Sequence, residues 1–319
     1  MDFGLHLPLV DFGGNPFTLN HLITYAETGQ QLGFSALAAN DHLVFSKPWL
    51  DGPTALAAVL AHSGRMDLAT TVSLPIVRGP VPLAKSLGAI DRLSGGRLIA
   101  CVGPGSSARD YGVVGIPFDE RWQRLDEVVQ TLRALWNREG VVFKGNFYNT
   151  EGIKLEPFPA QKSGPPIWVG SWGSKTGLKR VARLADGWLA SGYNITPELF
   201  AEGWQQLQEF LVTAGKDPST FPNAIASMWL YITEDGRDSE RMLNEVLAPA
   251  LNRPVMELRE RLPIGSAQDC AEKLAAYHNV GVERIYLWPL ADELEQIKIF
   301  MGQVVPLMAG KINVGGTRP

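Results

Sequence analysis

The chain has 319 residues, of which 45% are hydrophobic and 19% are charged, and its 29 Lys and Arg against 33 Asp and Glu give a net charge of −4. This composition supplies a large hydrophobic core, which excludes a disordered, collagen-like or coiled-coil chain. Nucleic-acid binding is not expected either, because phosphates need a basic surface and this sequence has no Lys/Arg cluster.

The cysteine content and the apolar runs indicate the compartment. Cys101 and Cys270 are too few for a disulfide framework and do not form a C-x-x-C pair. No apolar run reaches the ~18–20 residues of a membrane span, and the first residues show no basic segment of a signal peptide. We therefore expect a cytoplasmic protein that acts on a small molecule, without a nucleic-acid or membrane partner, and a homodimer remains open.

Short β-like runs alternate with segments of helical periodicity along the chain. Such alternation is typical of parallel βαβ units, and eight strands are the number that closes a (β/α)8 TIM barrel. We therefore predict an α/β fold of this kind as one domain over residues 1–319, with a doubly wound open sheet as the competing architecture. The predicted strands are Phe3–Leu7, Ser35–Ala39, Leu68–Leu74, Arg97–Val102, Ile167–Val169, Gly187–Ser191, Ala224–Ile232 and Arg284–Leu287.

Two stretches rich in Gly and Pro interrupt the alternation, at about 138–166 and 249–265. Because the alternation resumes after each, we expect insertions on loops at the C-terminal face of the barrel. Helix starts are marked by Thr196-Pro197 and by the capping patterns that begin at Ser266 and Asp292.

The loop after the fifth predicted strand carries Gly170, Ser171, Gly173 and Ser174 before a helical pattern. In a barrel of this kind the active site lies at the C-terminal ends of the strands. Free backbone N–H groups at a helix start, with hydroxyl groups beside them, suit a phosphate. A simple capped turn with Ser174 as the N-cap remains the alternative.

The run Gly103-Pro104-Gly105-Ser106-Ser107-Ala108 fits the loose G-x-G-x-x-A dinucleotide pattern. Its context does not fit, because Arg109–Gly112 shows no helical pattern and no acidic strand end follows. We therefore do not expect a nicotinamide site of the Rossmann kind.

Asp41 and His42 form a titratable pair at the end of the second predicted strand. A histidine there can exchange a proton with a substrate or hydrogen-bond to a cofactor ring, although a surface histidine is the alternative. The five histidines are scattered without a metal-ligand spacing, and no G-x-S-x-G elbow occurs, so neither a metal site nor acyl transfer is expected.

Several of the nine tryptophans fall at or near predicted strand ends. Such rings can form the wall of a pocket for a flat ligand. Trp49, Trp172 and Trp288 are the predicted substrate-pocket residues, with Trp188 also near a strand end. Trp122 and Trp136 lie on a long helical stripe and are expected in the core.

Taken together, these segments resemble the luciferase-like monooxygenase family of flavin- and deazaflavin-dependent barrel oxidoreductases. The resemblance is strong over about residues 1–190 and loose beyond them. The segments that carry it are Phe3–Pro8, Gly33-Phe34, Asn40–His42, Leu68–Val72, Pro82–Lys85, Asp91–Leu98, Val102–Gly105, Pro166–Gly170, Ala185–Trp188, Ala271–Leu274 and Gly281-Val282.

The resemblance implies a flavin-type ring across the mouth of the barrel. Thr71-Val72 matches a bulge that contains a non-proline cis peptide bond behind the ring in the deazaflavin members, and His42 matches the histidine near the reacting atoms. The remaining cofactor-binding residues by this match, the phosphate loop included, are Asp41, Gly103, Gly105, Gly170, Ser171, Gly173 and Ser174.

The Asp41-His42 pair favours coenzyme F420, a deazaflavin, over FMN. The function expected from the resemblance is hydride transfer between F420 and a small organic substrate. Ser106 stands where the sugar-phosphate dehydrogenases of the family have a glutamate, so a sugar phosphate is not expected. The alternatives are an FMN-dependent monooxygenase that activates O₂ and a catalytically silent flavin-binding barrel. An aldolase or isomerase would need a Schiff-base lysine or a carboxylate base at a strand end, and none stands out.

Overall fold

Eight strands pair in parallel and close into a barrel in the computed structural model, which describes residues 1–14, 17–309 and 311. Around the ring, β1 to β7 follow in chain order, and β9 lies between β7 and β1. A ninth, two-residue strand, β8, pairs with the end of β7. The strands are β1 (Asp2–His6), β2 (Ala36–Ala39), β3 (Asp67–Ser73), β4 (Leu98–Val102), β5 (Ile167–Gly170), β6 (Gly187–Ser191), β7 (Asn223–Ile232), β8 (Ile264–Gly265) and β9 (Arg284–Pro289).

The closed ring confirms the predicted (β/α)8 TIM barrel and excludes the open sheet, because β6 pairs with β7 and β9 pairs with β1. Each predicted strand is present and lies within two residues of its predicted bounds. Most strand residues are buried and apolar, which suits a parallel sheet that is buried on both faces.

Helices connect the strands on the outside of the barrel. Thr196 and Ser266 are N-caps as predicted, because their hydroxyls accept from the amides of Leu199 and Asp269. Asp292 differs: it has a positive φ of 46° and its side chain makes no cap hydrogen bond. The helices are α1 (Leu19–Gln31), α2 (Gly52–Ala58), α3 (Pro80–Leu93), α4 (Ala108–Val113), α5 (Arg121–Trp136), α6 (Lys175–Leu184), α7 (Pro197–Thr213), α8 (Gly236–Arg241), α9 (Ala248–Leu251), α10 (Val255–Arg261), α11 (Ala267–Asn279), α12 (Glu293–Ile299) and α13 (Val305–Ala309).

π-Helical turns at Met242–Leu247 and Phe300–Val304 join α8 to α9 and α12 to α13. Short 3₁₀ turns lie at Leu60–His62, Phe118–Glu120 and Pro218–Thr220. Among the helices within the described ranges, none has both the length and the apolar character to cross a bilayer.

The α4 helix corrects the prediction that no helix follows the Gly103–Ala108 run. It is six residues long and its sequence, with Gly112 near its end, has too few apolar positions to show a helical period. The Rossmann interpretation still fails, because the sheet is a closed barrel.

Large and small side chains alternate inside the barrel. Trp168 and Tyr286 point into it, and glycines lie opposite them. A Cβ at Gly4 would lie 2.6 Å from the Tyr286 ring, and one at Gly187 would lie 2.4 Å from the Trp168 ring. The interior is therefore filled, and a ligand has room only at the mouth.

The segment 138–166 has no helix, as predicted, but it does not lie over the C-terminal face. Gln161 hydrogen-bonds to Asp91 of α3 (2.7 Å) and to the carbonyl of Leu98 (2.9 Å), the first residue of β4. Farther along, Glu127 of α5 accepts the amides of Asn146 and Phe147. The reason is topological: the segment follows a helix and leads into β5, so it belongs to the end where strands begin.

The segment 249–265 does lie over the mouth. Arg253 donates to the side chain of Asn194 at 3.1 Å, and Arg261 donates to the carbonyl of Tyr193 at 3.0 Å, just beyond the C-terminal end of β6. The segment contains α10 and β8, so it is more ordered than a plain loop.

Candidate functional site

A cavity of about 480 Å³, here called the mouth cavity, opens at the C-terminal ends of the strands. It brings together ten of the predicted site residues, from the ends of β2 to β5 and the loops that follow them. Gly173, with φ +92°, belongs to the same loop as three of them, Ser171, Trp172 and Ser174, but is not part of the lining. The ten residues are Asp41, His42, Thr71, Val72, Gly103, Gly105, Gly170, Ser171, Trp172 and Ser174.

The bulge expected in β3 is present. The pairing of β3 with β4 shifts register between Thr70 and Ser73, and the peptide bond between Thr71 and Val72 is cis. The Asn40 side chain donates to the carbonyl of Thr71 at 2.7 Å, which ties the end of β2 to the bulge.

Two glycines make room for the Val72 side chain on the floor of the mouth cavity. A Cβ at Gly103 would lie 2.9 Å from one methyl of Val72, and a Cβ at Gly170 would lie 3.1 Å from the other. The apolar Val72 side chain can therefore sit low between β4 and β5, which leaves space for a flat ligand above it.

The start of α6 faces the mouth cavity. Ser174 is its N-cap and accepts the amide of Gly177 at 3.2 Å, as the capped-turn alternative proposed. A Cβ at Gly177 would lie 2.4 Å from the Ser171 hydroxyl oxygen, so Gly177 lets Ser171 lie against the first turn. The N–H groups of this turn have no partner within the helix, and an anion can bind them. The capped turn and the anion site are compatible.

His42 is held by a buried carboxylate that the sequence analysis missed. Its Nδ1 lies 2.7 Å from Oδ2 of Asp110 in α4, and the other oxygen of Asp110 accepts the amides of Leu43 and Val44. Burial would raise the pKa of Asp110, but these hydrogen bonds, led by that of His42, lower it below the ordinary value. Asp110 is therefore a carboxylate that accepts a hydrogen bond from the Nδ1–H group of His42. Nε2 is the ring nitrogen that faces away from this bond.

Asp41, a predicted cofactor-binding residue, borders the mouth cavity, and its carboxylate is turned to Arg78. Its side chain is buried, and both oxygens accept from Arg78 at 2.6 Å, while one also accepts the amide of Leu74. Burial would lower the pKa of Arg78, but the hydrogen bonds with Asp41 raise it above the ordinary value. Asp41 thus secures the turn after β3 through Leu74 and Arg78.

A second cavity, of about 580 Å³, adjoins the mouth cavity. Both are lined by Asn40, His42, Ser106, Tyr193 and Ser227. We call it the aromatic cavity, because its lining includes six rings of Phe, Tyr and Trp, those of Phe12, Phe45, Trp49, Tyr193, Trp229 and Trp288.

The tryptophans divide between these surroundings. Trp49 and Trp288 line the aromatic cavity as predicted, but Trp172 lies apart from them in the mouth cavity, 52% exposed and beneath the guanidinium of Arg253. Trp122, expected in the core, is 39% exposed and also lines the mouth cavity, whereas Trp136 is buried as expected. Trp188 is buried and stacks on Phe200 at 4.8 Å, so it takes no part in either cavity.

Ser227 was also missed, because it lies inside an uninterrupted strand pattern. It has a positive φ of 53°, at an irregularity in the pairing of β7 with β9, and its amide donates to Nε2 of His6 at 3.1 Å. Burial lowers the pKa of His6 to about 3, so this imidazole is neutral and accepts through Nε2. The bend presents Ser227 where the two cavities meet.

Across residues 1–14, 17–309 and 311, no group of three or more His, Cys, Asp or Glu side chains is arranged to hold a metal ion. The polar groups of the site are thus a histidine–carboxylate pair, serine hydroxyls and backbone amides. These groups bind anions and move protons.

Comparison with known proteins places this site in a family. The family model of the luciferase-like monooxygenases matches residues 1–284. The chain is 30% identical over 218 residues to the F420-dependent hydroxymycolic acid dehydrogenase of Mycobacterium tuberculosis, a match that covers 64% of this chain and 57% of that protein. The chain spans about three fifths of the length of the curated relatives it matches.

Solved structures share the fold. An F420-dependent secondary alcohol dehydrogenase in complex with an F420–acetone adduct superposes with a TM-score of 0.83 at 18% identity, over 96% of this chain and 98% of that chain. The oxygenating constituent of 3,6-diketocamphane monooxygenase from Pseudomonas putida, in complex with FMN, has a TM-score of 0.73 at 16% identity, over 98% of each chain. With the family match over most of the sequence, the chain belongs to the luciferase-like monooxygenase family.

Proposed function

We propose that this protein is an F420-dependent oxidoreductase that interconverts an alcohol and a carbonyl compound at His42. The observation that carries the proposal is the His42–Asp110 pair at the junction of the two cavities. The F420-dependent relative at 30% identity supports F420 in preference to FMN. A silent flavin-binding barrel would not need a buried carboxylate to orient this histidine.

The mouth cavity fits a cofactor of this kind. Val72, set low between Gly103 and Gly170, offers an apolar floor for a flat ring, and the first turn of α6 with Ser171 and Ser174 offers donors to a phosphate. When bound, F420 supplies a ring carbon that takes up or gives a hydride.

The residues of this chain then transfer the proton. The Asp110 carboxylate accepts the Nδ1 proton of His42, which fixes the ring orientation and directs Nε2 to the substrate. Nε2 accepts the hydroxyl proton when an alcohol is oxidised and returns it when a carbonyl is reduced. The negative charge of Asp110 stabilises the imidazolium that forms in between. Ser227, at the same junction, is placed to hydrogen-bond with the substrate oxygen.

F420-loaded protein is first screened with alcohols for reduction of the cofactor. Substitution of His42 then tests this assignment with an alcohol that is oxidised. General acid–base catalysis contributes ~10²–10⁴ in rate, so we expect His42→Ala and His42→Asn to lose turnover by that order. F420 binding should persist in both variants, because neither change touches the α6 turn. Turnover equal to that of the parent would make His42 a structural residue and contradict the mechanism.

A further inference from the structure

The Trp288 ring in the wall of the aromatic cavity is packed so that its edge, not its faces, is available to a ligand. Trp288 is stacked between His6, at 4.2 Å, and Trp229, at 4.1 Å, so both of its faces are covered. Trp49 stands almost perpendicular to Trp288, with an interplanar angle of 87°. Aromatic edges carry the positive part of the ring quadrupole, and they attract the negative face of another ring.

Two indole N–H groups in this wall lack an acceptor. The Nε1 atoms of Trp49 and Trp229 are buried and make no hydrogen bond. A buried donor without a partner is unfavourable, and an oxygen or a ring face can satisfy it. Both rings line the aromatic cavity, and the Trp49 ring is only half-buried.

The geometry of the junction orients the ligand. His42 and Ser227 line both cavities, so the reacting oxygen belongs beside them and the rest of the substrate extends into the aromatic cavity. A cavity of about 580 Å³ lies within the ~300–1,000 Å³ range of small-molecule sites and is ample for a ring-bearing substituent.

From this arrangement we infer that the substrate is an aryl-substituted alcohol or the corresponding carbonyl compound, whose ring packs against the wall formed by Trp49, Trp229 and Trp288. The inference rests on the proposed function, because it places the reacting carbon at His42. It excludes small aliphatic alcohols and sugars as preferred ligands, since neither offers a ring face to this wall.

Calorimetric titration of F420-loaded protein tests the substrate class. With the cofactor in the mouth cavity, as proposed, the aromatic cavity is left for the probe. The probes are 1-phenylethanol, 1-cyclohexylethanol, 2-propanol and glucose. We expect 1-phenylethanol to bind at least tenfold more tightly than 2-propanol, because a phenyl group is buried in place of a methyl group. It should bind about two- to tenfold more tightly than 1-cyclohexylethanol, because only the aryl ring has the electron-rich face. Equal affinities for 1-phenylethanol and 2-propanol, or tighter binding of glucose, would overturn the inference.

Variants locate the binding. Trp49→Leu removes the aromatic ring and should weaken 1-phenylethanol binding at least tenfold, whereas Trp49→Phe keeps a smaller aromatic ring without the N–H and should weaken it about two- to tenfold. The control is Trp204→Phe, since Trp204 stacks near Trp188 and lines neither cavity. If the Trp49 variants bind 1-phenylethanol as the control does, the inference is wrong.

A separate F420 titration of each sample distinguishes the two proposals. Normal F420 binding without a preference for 1-phenylethanol overturns the substrate class alone. Failure of the parent protein to bind F420 overturns the proposed function.

Discussion

Replacing Asp110 with Asn removes the charge that orients His42 and leaves the shape of the side chain unchanged. Asp110 accepts three hydrogen bonds, two from the Leu43 and Val44 amides and one from His42. The Asn carbonyl can keep the two amide bonds, but its NH₂ group cannot accept the Nδ1 proton. One hydrogen bond to a charged group is lost, which corresponds to about 1.5–3 kcal/mol of stability.

The loss should depend on pH in one direction. The hydrogen bonds hold the pKa of Asp110 below its ordinary value, so the carboxylate contributes stability above the ordinary Asp pKa of about 3.9. This contribution disappears as the pH falls through the lower pKa of the folded state. The difference in stability between parent and Asp110→Asn should therefore be constant near neutral pH and shrink below about pH 4.

Urea unfolding of both proteins at several pH values measures this difference. Asp119→Asn is the matched control, because Asp119 is fully exposed and lies 4.0 Å from its nearest cation, on Arg121. A surface substitution of this kind should change stability by no more than about 0.5 kcal/mol. A stability loss in Asp110→Asn that matches the control, or one that grows toward low pH, would refute the view that Asp110 is a charged acceptor for His42.

Three further predictions concern the barrel and the cofactor loop. Because the pKa of His6 is lowered to about 3, the parent should lose about 1.4 kcal/mol of stability per pH unit as the pH falls from the ordinary value of about 6.5 toward that pKa, and His6→Gln should lessen the slope by this amount; equal slopes in urea unfolding would contradict its burial as a neutral ring. Gly177→Ala should weaken F420 binding at least about tenfold because its Cβ meets the Ser171 hydroxyl, whereas Gly236→Ala, in open space, should leave the Kd for F420 unchanged. Equal Kd values for the two variants would show that Ser171 does not contribute to F420 binding. Ser174→Asp should also weaken F420 binding at least about tenfold by charge repulsion, and an unchanged Kd would argue against a phosphate at α6.

The barrel could be predicted because its signals are local and repeated. Each strand is a short apolar run between helical patterns, and eight such runs have few alternatives to closure. The predicted position of segment 138–166 was wrong, although the order of the elements already determines it. A connection from α5 to β5 must lie at the end of the barrel where the strands begin. The short α4 left too few apolar positions to be detected.

The site was less predictable, because its key contacts join distant parts of the chain. Asp110 lies 68 residues from His42, and no pattern in the sequence links them. Asp41 and His42 are neighbours, but the Asp41 carboxylate pairs with Arg78 and the His42 ring pairs with Asp110, and their adjacency in the sequence predicts neither partner. The glycines and serines that line the mouth cavity could be predicted to lie there, because they follow the C-terminal ends of two strands, where the site of such a barrel is located.

The most direct test of the central claim is a parallel titration of cofactor-free protein with F420 and with FMN, followed by fluorescence. We expect F420 to bind more tightly than FMN. We also expect Gly177→Ala to weaken F420 binding without unfolding the protein. Tighter binding of FMN, followed by rapid oxygen consumption once the bound FMN is reduced, would contradict the assignment of this barrel to F420.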